Sequence, residues 1–285
     1  MDLLEQHFET AFTAPDGIAR LRELILALAM QGKLVPQDPN DPPASELLKE
    51  IEAEKRKVSH KGTKTRSKKP LPPIEANEVP YELPESWEWV RLGSICSYIQ
   101  RGKGPKYVES SDRRVISQKC VRWYGLDIAP ARFIDPESLH KYEEIRFLKA
   151  HDLLWNSTGT GTIGRACLLP EEFEAEGLVA DSHVTVVRSM FISQQFLWRW
   201  IQCPYVQNAI EGSASGTTNQ IELNTSIVVS HLFPLPPLPE QQRIVKKVDQ
   251  LMALCDTLEQ QIDAASIKQA QLLTAIMARQ SADFS

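Results

Sequence analysis

A glycine-rich run near the middle of the chain has the spacing of a nucleotide-binding loop. Gly159-Thr-Gly-Thr-Ile-Gly164 matches G-x-G-x-x-G, a motif that must open a helix so that a pyrophosphate meets the helix N-terminus. Here the next residues, Arg165-Ala-Cys-Leu-Leu-Pro170, are apolar and stopped by proline, which predicts a strand. Asp181 lies near the position of the acidic ribose ligand, but the helix is missing. The sequence therefore argues against dinucleotide binding.

The wider run from Trp155 to Arg165 has the composition of a loop that could meet DNA. Its glycines allow close backbone approach, its hydroxyl and amide groups form hydrogen bonds, and Arg165 adds a positive charge. The residues alone leave two interpretations open, a loop on a phosphate backbone or base edges and a plain glycine-rich β-turn. The candidate contacts are Ser157, Thr158, Thr160, Thr162 and Arg165.

A second polar, glycine-containing loop covers Gly212 to Gln220. Asn and Gln can pair bidentately with adenine edges, and Ser and Thr reach phosphates. The alternative is a mobile connector. The candidate contacts are Ser215, Thr217, Thr218, Asn219 and Gln220.

Two shorter segments, 101–106 and 118–124, supply cations, an amide and aromatic rings. Lys or Arg together with Gln suits base reading in a major groove, and aromatic neighbours suit nucleic acid. The alternative is a solvated loop with a half-buried Trp123. The candidate contacts are Arg101, Lys103, Lys106, Gln118, Lys119 and Arg122.

Motifs for catalysis are missing from the sequence. It contains no G-x-x-x-x-G-K-[ST] phosphate loop, and its six histidines show no metal-ligand spacing. Asp41-Pro-Pro-Ala44 is close to the D/N-P-P-aromatic motif of amino methyltransferases, but the aromatic that would stack on a flipped base is absent. We therefore predict a chain that is not an enzyme by itself and binds no metal.

The bulk properties limit the class of protein. The net charge of −5 counts mildly against nucleic acid as a partner, but the acidic residues crowd the predicted helices and charge is segregated. Five scattered cysteines without a C-x-x-C pair predict reduced thiols in a cytoplasmic protein. No uncharged apolar run is long enough to cross a membrane.

A long helix with an apolar stripe follows a proline-rich run at 234–239. Pro239 and Glu240 suit a first helical turn. The apolar residues then recur at alternating four- and three-residue steps, as in a coiled coil, and so predict a partner helix. A helix to about Ala278 would span roughly 60 Å. The stripe, called the seam below, comprises Ile244, Val248, Leu251, Cys255, Leu258, Ile262, Leu272 and Ile276.

The remaining pattern predicts helices first and a mixed α/β domain after them. Capping residues predict three short helices, starting at Asp2, Asp16 and Ser45, with Gly32 ending the second. Short β-rich runs lie at 89–92, 152–155 and 183–187, and 194–211 is largely helical, broken near Pro204. The predicted divisions are an N-terminal helical region (1–55), a basic and proline-rich linker (56–84), the α/β domain (85–237), the long helix (238–280) and a tail (281–285).

Three segments resemble the specificity (S) subunits of type I restriction–modification enzymes. They are Ile18 to Asn40, Leu83 to Gly93, which in that family opens a target recognition domain, and Phe233 to Val245 leading into the long helix. The resemblance implies a mixed α/β target recognition domain with an N-terminal helical region and a long C-terminal helix of the coiled-coil type. It also favours DNA as the contact of the loops at 155–165 and 212–220.

The resemblance further implies a prokaryotic cytoplasmic subunit that has no chemistry of its own and binds double-stranded DNA. It would recognise one half of a bipartite target and dock methyltransferase and restriction subunits. S-adenosylmethionine would then be bound by the methyltransferase subunit, ATP and Mg by the restriction subunit, and no cofactor by this chain.

The chain departs from the family pattern in one respect. A full-length S subunit carries two recognition domains held apart by two antiparallel helices, whereas this sequence has one domain and one long helix. We therefore expect a half-length or truncated subunit that forms an antiparallel homodimer through the seam, with its domains somewhat under two turns of B-DNA apart. Two alternatives are a coiled-coil scaffold whose α/β domain binds protein, and a DNA methyltransferase fragment, which S-adenosylmethionine binding would reveal.

Overall fold

The structure, a computed structural model, describes residues 16–60, 71–214 and 222–283. Its elements, in chain order, are α1 (Gly17–Met30), α2 (Ala44–His60), β1 (Glu88–Arg91), α3 (Leu92–Ile95), β2 (Cys96–Arg101), β3 (Arg114–Ile116), β4 (Val121–Arg122), β5 (Gly125–Leu126), β6 (Arg132–Phe133), α4 (Pro136–Leu139), β7 (Leu153–Asn156), β8 (Ala166–Leu168), β9 (Val179–Ala180), β10 (Val184–Ser189), α5 (Gln194–Gln202), α6 (Pro204–Ala214), α7 (Thr225–Ser230), β11 (Leu232–Leu235) and α8 (Leu238–Asp283). Two short 3₁₀ helices cover Glu144–Arg146 and Glu171–Glu176. The three β-rich runs and the helix break near Pro204 are confirmed.

The helix ends differ in part from their predicted positions. Asp16 precedes α1 with a positive φ of 62° and makes no side-chain cap, so the predicted capping role is wrong. Gly32, at φ +69°, lies just past the helix end as predicted. Helix α2 begins at Ala44, which places Ser45 inside its first turn, and it continues to His60, five residues into the predicted linker. The helix predicted from Asp2 lies outside the described residues.

A four-stranded antiparallel sheet in the order β2-β10-β7-β8 forms the centre of the domain. A three-stranded sheet, β6-β3-β9, lies beside it, with β3 and β9 parallel. Two ribbons, β1–β11 and β4–β5, complete the described strands. Their pairing draws residues from distant parts of the chain into one mixed α/β domain.

The central sheet separates two hydrophobic clusters, because successive side chains of a strand point to opposite faces. Ile99, Leu153 and Trp155 join the first cluster, whereas Tyr98 and Leu154 join the second. The first cluster contains α1, α2, β1, β11, α5 and the first part of α8. The second lies under the β4–β5 ribbon and β9. The N-terminal helices therefore share a core with the α/β domain.

The seam is divided into two parts. Ile244, Val248 and Cys255 are buried in the first cluster, and Leu258 is 9% exposed, while Leu251 and Ile262 pack against the same cluster. Helix α1 packs along this part, and its Arg22 donates hydrogen bonds of 2.7 Å to both Asp256 and Glu259 of α8. The prediction that this part needs the helix of another molecule is corrected here, because α1 of the same chain covers it.

The last part of α8 projects away from the body of the domain. All residues from 263 to 277 are exposed, including the remaining seam residues Leu272 (65%) and Ile276 (53%). At about 1.5 Å per residue, the stretch from 263 to the helix end is about 30 Å long. No helix in the described ranges is long and apolar enough to span a membrane.

The second half of the linker is attached to the domain. The guanidinium of Arg91, which is 7% exposed, donates to the carbonyls of Pro72 and Pro73 and to the carboxylate of Glu78 at 2.9–3.0 Å. The Tyr81 hydroxyl donates to the Met30 carbonyl at 2.9 Å. Between residues 72 and 81 the predicted basic and proline-rich linker is therefore bound to the body of the domain.

Candidate nucleic-acid interface

The order of strands in the central sheet brings two predicted segments and one further turn to one edge. Strand β10 runs antiparallel between β2 and β7, so its start lies beside the ends of both. Thr185 of β10 pairs with Arg101 at the end of β2, and Val184 pairs with Asn156 at the end of β7. Arg101, the glycine-rich loop at 157–165 and the turn at 181–183 therefore meet here.

Hydrogen bonds of Asn156, Ser157 and Thr158 hold the start of the glycine-rich loop in place. The buried amide of Asn156 donates from Nδ2 to the carbonyls of Gln118 (3.0 Å) and Thr162 (3.2 Å). The Ser157 N–H donates to the His183 carbonyl, and Thr158 Oγ1 lies 2.7 Å from His183 Nδ1. Strand β8 follows at once, without a helix. The predicted strand after the glycine-rich loop is confirmed, so this loop does not open a helix as the dinucleotide motif requires.

The side chain of Gln118 lies against the glycine-rich loop. The Thr162 hydroxyl is within hydrogen-bonding distance of Gln118 Oε1, at 3.2 Å. Gly159 has a φ of +105°, and a Cβ there would be 2.2 Å from Gln118 Oε1. The segment 118–124 and the glycine-rich loop are therefore in contact. This close approach requires glycine at position 159.

The predicted cations differ in what surrounds them. Arg101 is ion-paired with Glu222 and donates to the Ser182 carbonyl. Arg165 donates to the Gly161 carbonyl at 2.6 Å. Arg122 Nε lies 3.6 Å from the Asp127 carboxylate and has no hydrogen-bond partner within the described chain. Lys119 is exposed. Arg122 and Lys119 thus offer positive charge beside the loop.

Two predicted cations are engaged elsewhere. The ammonium of Lys103 lies 5.5 Å from the ring centre of Tyr142. Lys106 donates to Asp135 at 3.0 Å, in the segment that leads into α4. That pairing places Lys106 next to the β6 end of the smaller sheet and away from the glycine-rich loop.

One predicted contact residue is buried. Ser157 is 1% exposed, and its hydroxyl is bonded to Thr185 Oγ1 and lies 3.3 Å from the Trp155 carbonyl. Ser157 therefore fixes the loop to the sheet and does not reach the surface, which corrects its assignment. Thr160 is exposed and Thr158 and Thr162 are half-buried. Ser215, Thr217, Thr218, Asn219 and Gln220 lie outside the described residues.

The turn at 181–183 and the β4–β5 ribbon add residues that the sequence analysis did not select. The Asp181 carboxylate, 3% exposed, accepts from the His183 N–H at 2.8 Å, and its burial raises the pKa of that carboxyl. Trp123 and Tyr124 form the exposed end of the ribbon. The available signal was two adjacent aromatics followed by Gly125. Below, the candidate surface means Arg101, Gln118, Lys119, Arg122, Thr158, Thr160, Thr162, Arg165 and His183.

Comparison with known proteins identifies the family of this domain. The model of the type I restriction modification DNA specificity domain matches residues 84–266, which include the whole candidate surface. The chain belongs to this family. It is 33% identical to the Escherichia coli type I restriction enzyme EcoAI specificity subunit, over 96% of this chain and 46% of that protein. It is 35% identical to the E. coli EcoEI specificity subunit, over 92% and 44%.

The chain spans about half the length of these curated relatives. A solved chain, from work on complex assembly and conformational transition of the type I R-M system, superposes with a TM-score of 0.52 at 17% identity, covering 82% of this chain and 52% of that one. The resemblance and the mixed α/β fold with its long helix are confirmed. The relatives are named specificity subunits, so the prediction of a non-catalytic component is confirmed by the family.

No group of three or more His, Cys, Asp and Glu side chains could hold a metal ion among the residues described here. The polar groups at this edge of the central sheet are hydroxyls, amides and cations, together with the carboxylates of Asp181 and Glu222. Hydroxyls, amides and cations form hydrogen bonds and ion pairs with phosphates and base edges.

Proposed function

We propose that this chain reads one half of a bipartite DNA target through the candidate surface. The observation that carries the proposal is that the family match at 84–266 covers the segments whose polar loops meet at one edge of the central sheet. The relatives named as specificity subunits support the same role.

The candidate surface has the chemistry that this role requires. Lys119, Arg122 and Arg165 supply charge for phosphates, which position a protein on a duplex. Gln118, held against Gly159, supplies an amide that can read a base edge. The overall charge of −5 does not describe this surface, which itself carries Arg101, Lys119, Arg122 and Arg165.

The chemical steps would belong to partner subunits. We propose that methyltransferase subunits carry S-adenosylmethionine and restriction subunits carry ATP and Mg, while this chain carries no cofactor. Those subunits would dock on its helices in a prokaryotic cytoplasm. Support comes from the family, in which this type of chain is named the specificity subunit.

A second recognition domain would come from a second copy. The exposed end of α8, with Leu272 and Ile276 on one stripe, supports an antiparallel homodimer. Only about 30 Å of the helix projects from the body. The facing edges of the two domains would therefore be about one turn of B-DNA apart, which is less than the distance expected from the length of the whole helix. Each domain's width adds to the distance between half-sites.

Selection from a pool of random duplex DNA, with the chain assembled with its methyltransferase subunit, tests the proposal. A bipartite inverted repeat is the expected result, and a Lys119→Ala/Arg165→Ala variant should bind it more weakly, with a smaller dependence on salt. A single unrepeated motif would retain DNA reading and reject the homodimer. No enrichment by a folded complex would favour a scaffold whose domain binds protein.

A further inference from the structure

The β4–β5 ribbon ends in two aromatic residues, Trp123 and Tyr124, called the aromatic tip below. Tyr124 is 78% exposed and Trp123 is 40% exposed. Two-residue hairpin turns favour Gly, Asn and Asp, which suit the backbone conformation. The Tyr124 side chain adds little packing to the fold, because it is largely in water, whereas Trp123 is partly covered. The rings therefore have a use outside the folding of the ribbon.

The backbone beneath the aromatic tip is held firmly. Cys120 and Val121 are fully buried in the second hydrophobic cluster. The Asp127 N–H donates to the Cys120 carbonyl at 2.8 Å, and Gln202 Nε2 of α5 donates to the Trp123 carbonyl at 3.2 Å. A ring on such a support loses little conformational freedom when it binds.

The residues around the aromatic tip indicate which kind of partner it meets. Lys119 is exposed, and the half-buried Arg122 lies next to the aromatic tip, with its Nε 3.6 Å from the Asp127 carboxylate. Gln118, which precedes β4, contacts the glycine-rich loop. The centres of protein interfaces are depleted of charge, whereas a ring flanked by cations fits a duplex with phosphates outside and apolar base steps inside. These neighbours favour DNA.

We propose that Tyr124 enters a groove of the bound duplex and packs its ring against a base edge or a partly opened base step. Trp123 lies beside it at the groove wall. This inference rests on the proposed function and adds a contact that does not depend on phosphate charge. It assigns the ribbon end a role in reading the shape and flexibility of the target.

The test compares Tyr124→Ala and Tyr124→Phe in the full chain assembled with its methyltransferase subunit, with Phe191→Ala as the control. Phe191 is 50% exposed and follows the far end of β10, away from the candidate surface. The probe is the duplex that the unchanged chain enriches from the random pool, labelled with 2-aminopurine at successive positions. Tyr124→Ala should bind about tenfold more weakly, whereas Tyr124→Phe and Phe191→Ala should bind like the unchanged chain.

Salt dependence and fluorescence identify the type of contact. The slope of log affinity against log salt should be the same for Tyr124→Ala and the unchanged chain, because no phosphate contact is lost. A 2-aminopurine signal that rises at one step with the unchanged chain should disappear with Tyr124→Ala. Thermal unfolding of the variants checks that each is folded.

Three other results have separate meanings. If the unchanged chain binds duplex DNA and Tyr124→Ala binds equally well, the role of Tyr124 is rejected and the proposed function stands. If no duplex is bound by the unchanged chain, the proposed function itself fails. If Tyr124→Ala keeps its DNA affinity but loses the methyltransferase subunit in co-purification, the aromatic tip binds protein and the inference is overturned.

Discussion

The indole nitrogen of Trp87 donates a 2.9 Å hydrogen bond to Oε2 of Glu240, a residue 153 positions later in the chain. The other carboxylate oxygen of Glu240 accepts from Gln37 Nε2 at 2.5 Å. Glu240 is 1% exposed and lies in the first turn of α8. It therefore joins the segment after α1, the start of the α/β domain and the start of the long helix.

Replacing Glu240 by Ala should lower the free energy of unfolding by roughly 1–3 kcal/mol, because the buried Trp87 N–H would lose its acceptor. Glu240→Gln keeps an amide oxygen for Trp87 and should be affected less. Urea unfolding of both variants measures the difference. Equal stability of Glu240→Ala and the unchanged protein would show that the hydrogen bonds contribute nothing measurable.

Acid should destabilise the protein through His231. Trp200 Nε1 donates to His231 Nε2 at 3.1 Å, and burial lowers the pKa of the imidazole to about 4. The unfolded chain takes up this proton below about pH 6.5, so the stability is present above that pH and is lost as pH falls towards 4. The loss approaches about 3 kcal/mol.

The measurement is urea unfolding at a series of pH values, for the unchanged protein and for His231→Gln. The variant lacks the titrating group, so its stability should fall less steeply between about pH 6.5 and pH 4. Parallel curves for the two proteins would assign the acid sensitivity to other groups.

Gly159→Ala should weaken DNA binding by about tenfold, a loss of about 1.4 kcal/mol. The new methyl group would lie 2.2 Å from Gln118 Oε1 and 2.3 Å from Thr162 Oγ1, so the loop and the amide must move apart. Gly161→Ala is the matched control, because it also has a positive φ (+73°) but no atom within 4 Å. Affinity for the enriched duplex is the measurement, and equal losses in both variants would point to backbone strain alone.

Glu222→Gln should strengthen DNA binding severalfold. The Glu222 carboxylate is ion-paired with Arg101, and its removal frees that guanidinium for a phosphate. The slope of log affinity against log salt concentration should become more negative by about one. Glu176→Gln, which removes the carboxylate 3.1 Å from Arg114, is the control. An unchanged salt slope for Glu222→Gln would mean that Arg101 does not reach the DNA.

A Leu272→Asp/Ile276→Asp variant should be monomeric and as stable as the unchanged chain, because both side chains are more than half exposed. Leu258→Asp, at a position 9% exposed, should instead destabilise the fold by placing a charge in the core. Sedimentation equilibrium and thermal unfolding separate the two effects. A dimer that survives the distal substitutions would exclude this end of α8 as its interface.

The local elements could be predicted because short-range rules govern them. The strand at 166–168 after the glycine-rich loop follows from an apolar run and a proline, and the end of α1 follows from Gly32. The polar loops were found for a similar reason, because glycine, hydroxyl and amide residues cluster in the sequence.

Apart from the capping role of Asp16, the errors concern contacts between distant residues. A heptad pattern predicts that an apolar stripe is covered, but it does not identify the helix that covers it. The packing of α1 against Ile244 and Val248 could therefore not be predicted from the sequence. Arg91 looks like an ordinary strand residue until its hydrogen bonds to the linker are known. Burial of Ser157 likewise depends on Thr185, a residue 28 positions away.

The separation of two hydrophobic clusters by the central sheet has a consequence for how such a protein can diversify. The aromatic tip rests on the cluster beneath the β4–β5 ribbon, whereas the glycine-rich loop, α1, α2 and α8 rest on the other. The chain enters the region of the β4–β5 ribbon from β2 and leaves it through β10, and these two strands are paired neighbours. Exchanging the stretch between them while keeping Leu153, Trp155 and Ala166, which pack in the cluster that holds the helices, should alter the loops and leave α1, α2 and α8 in place.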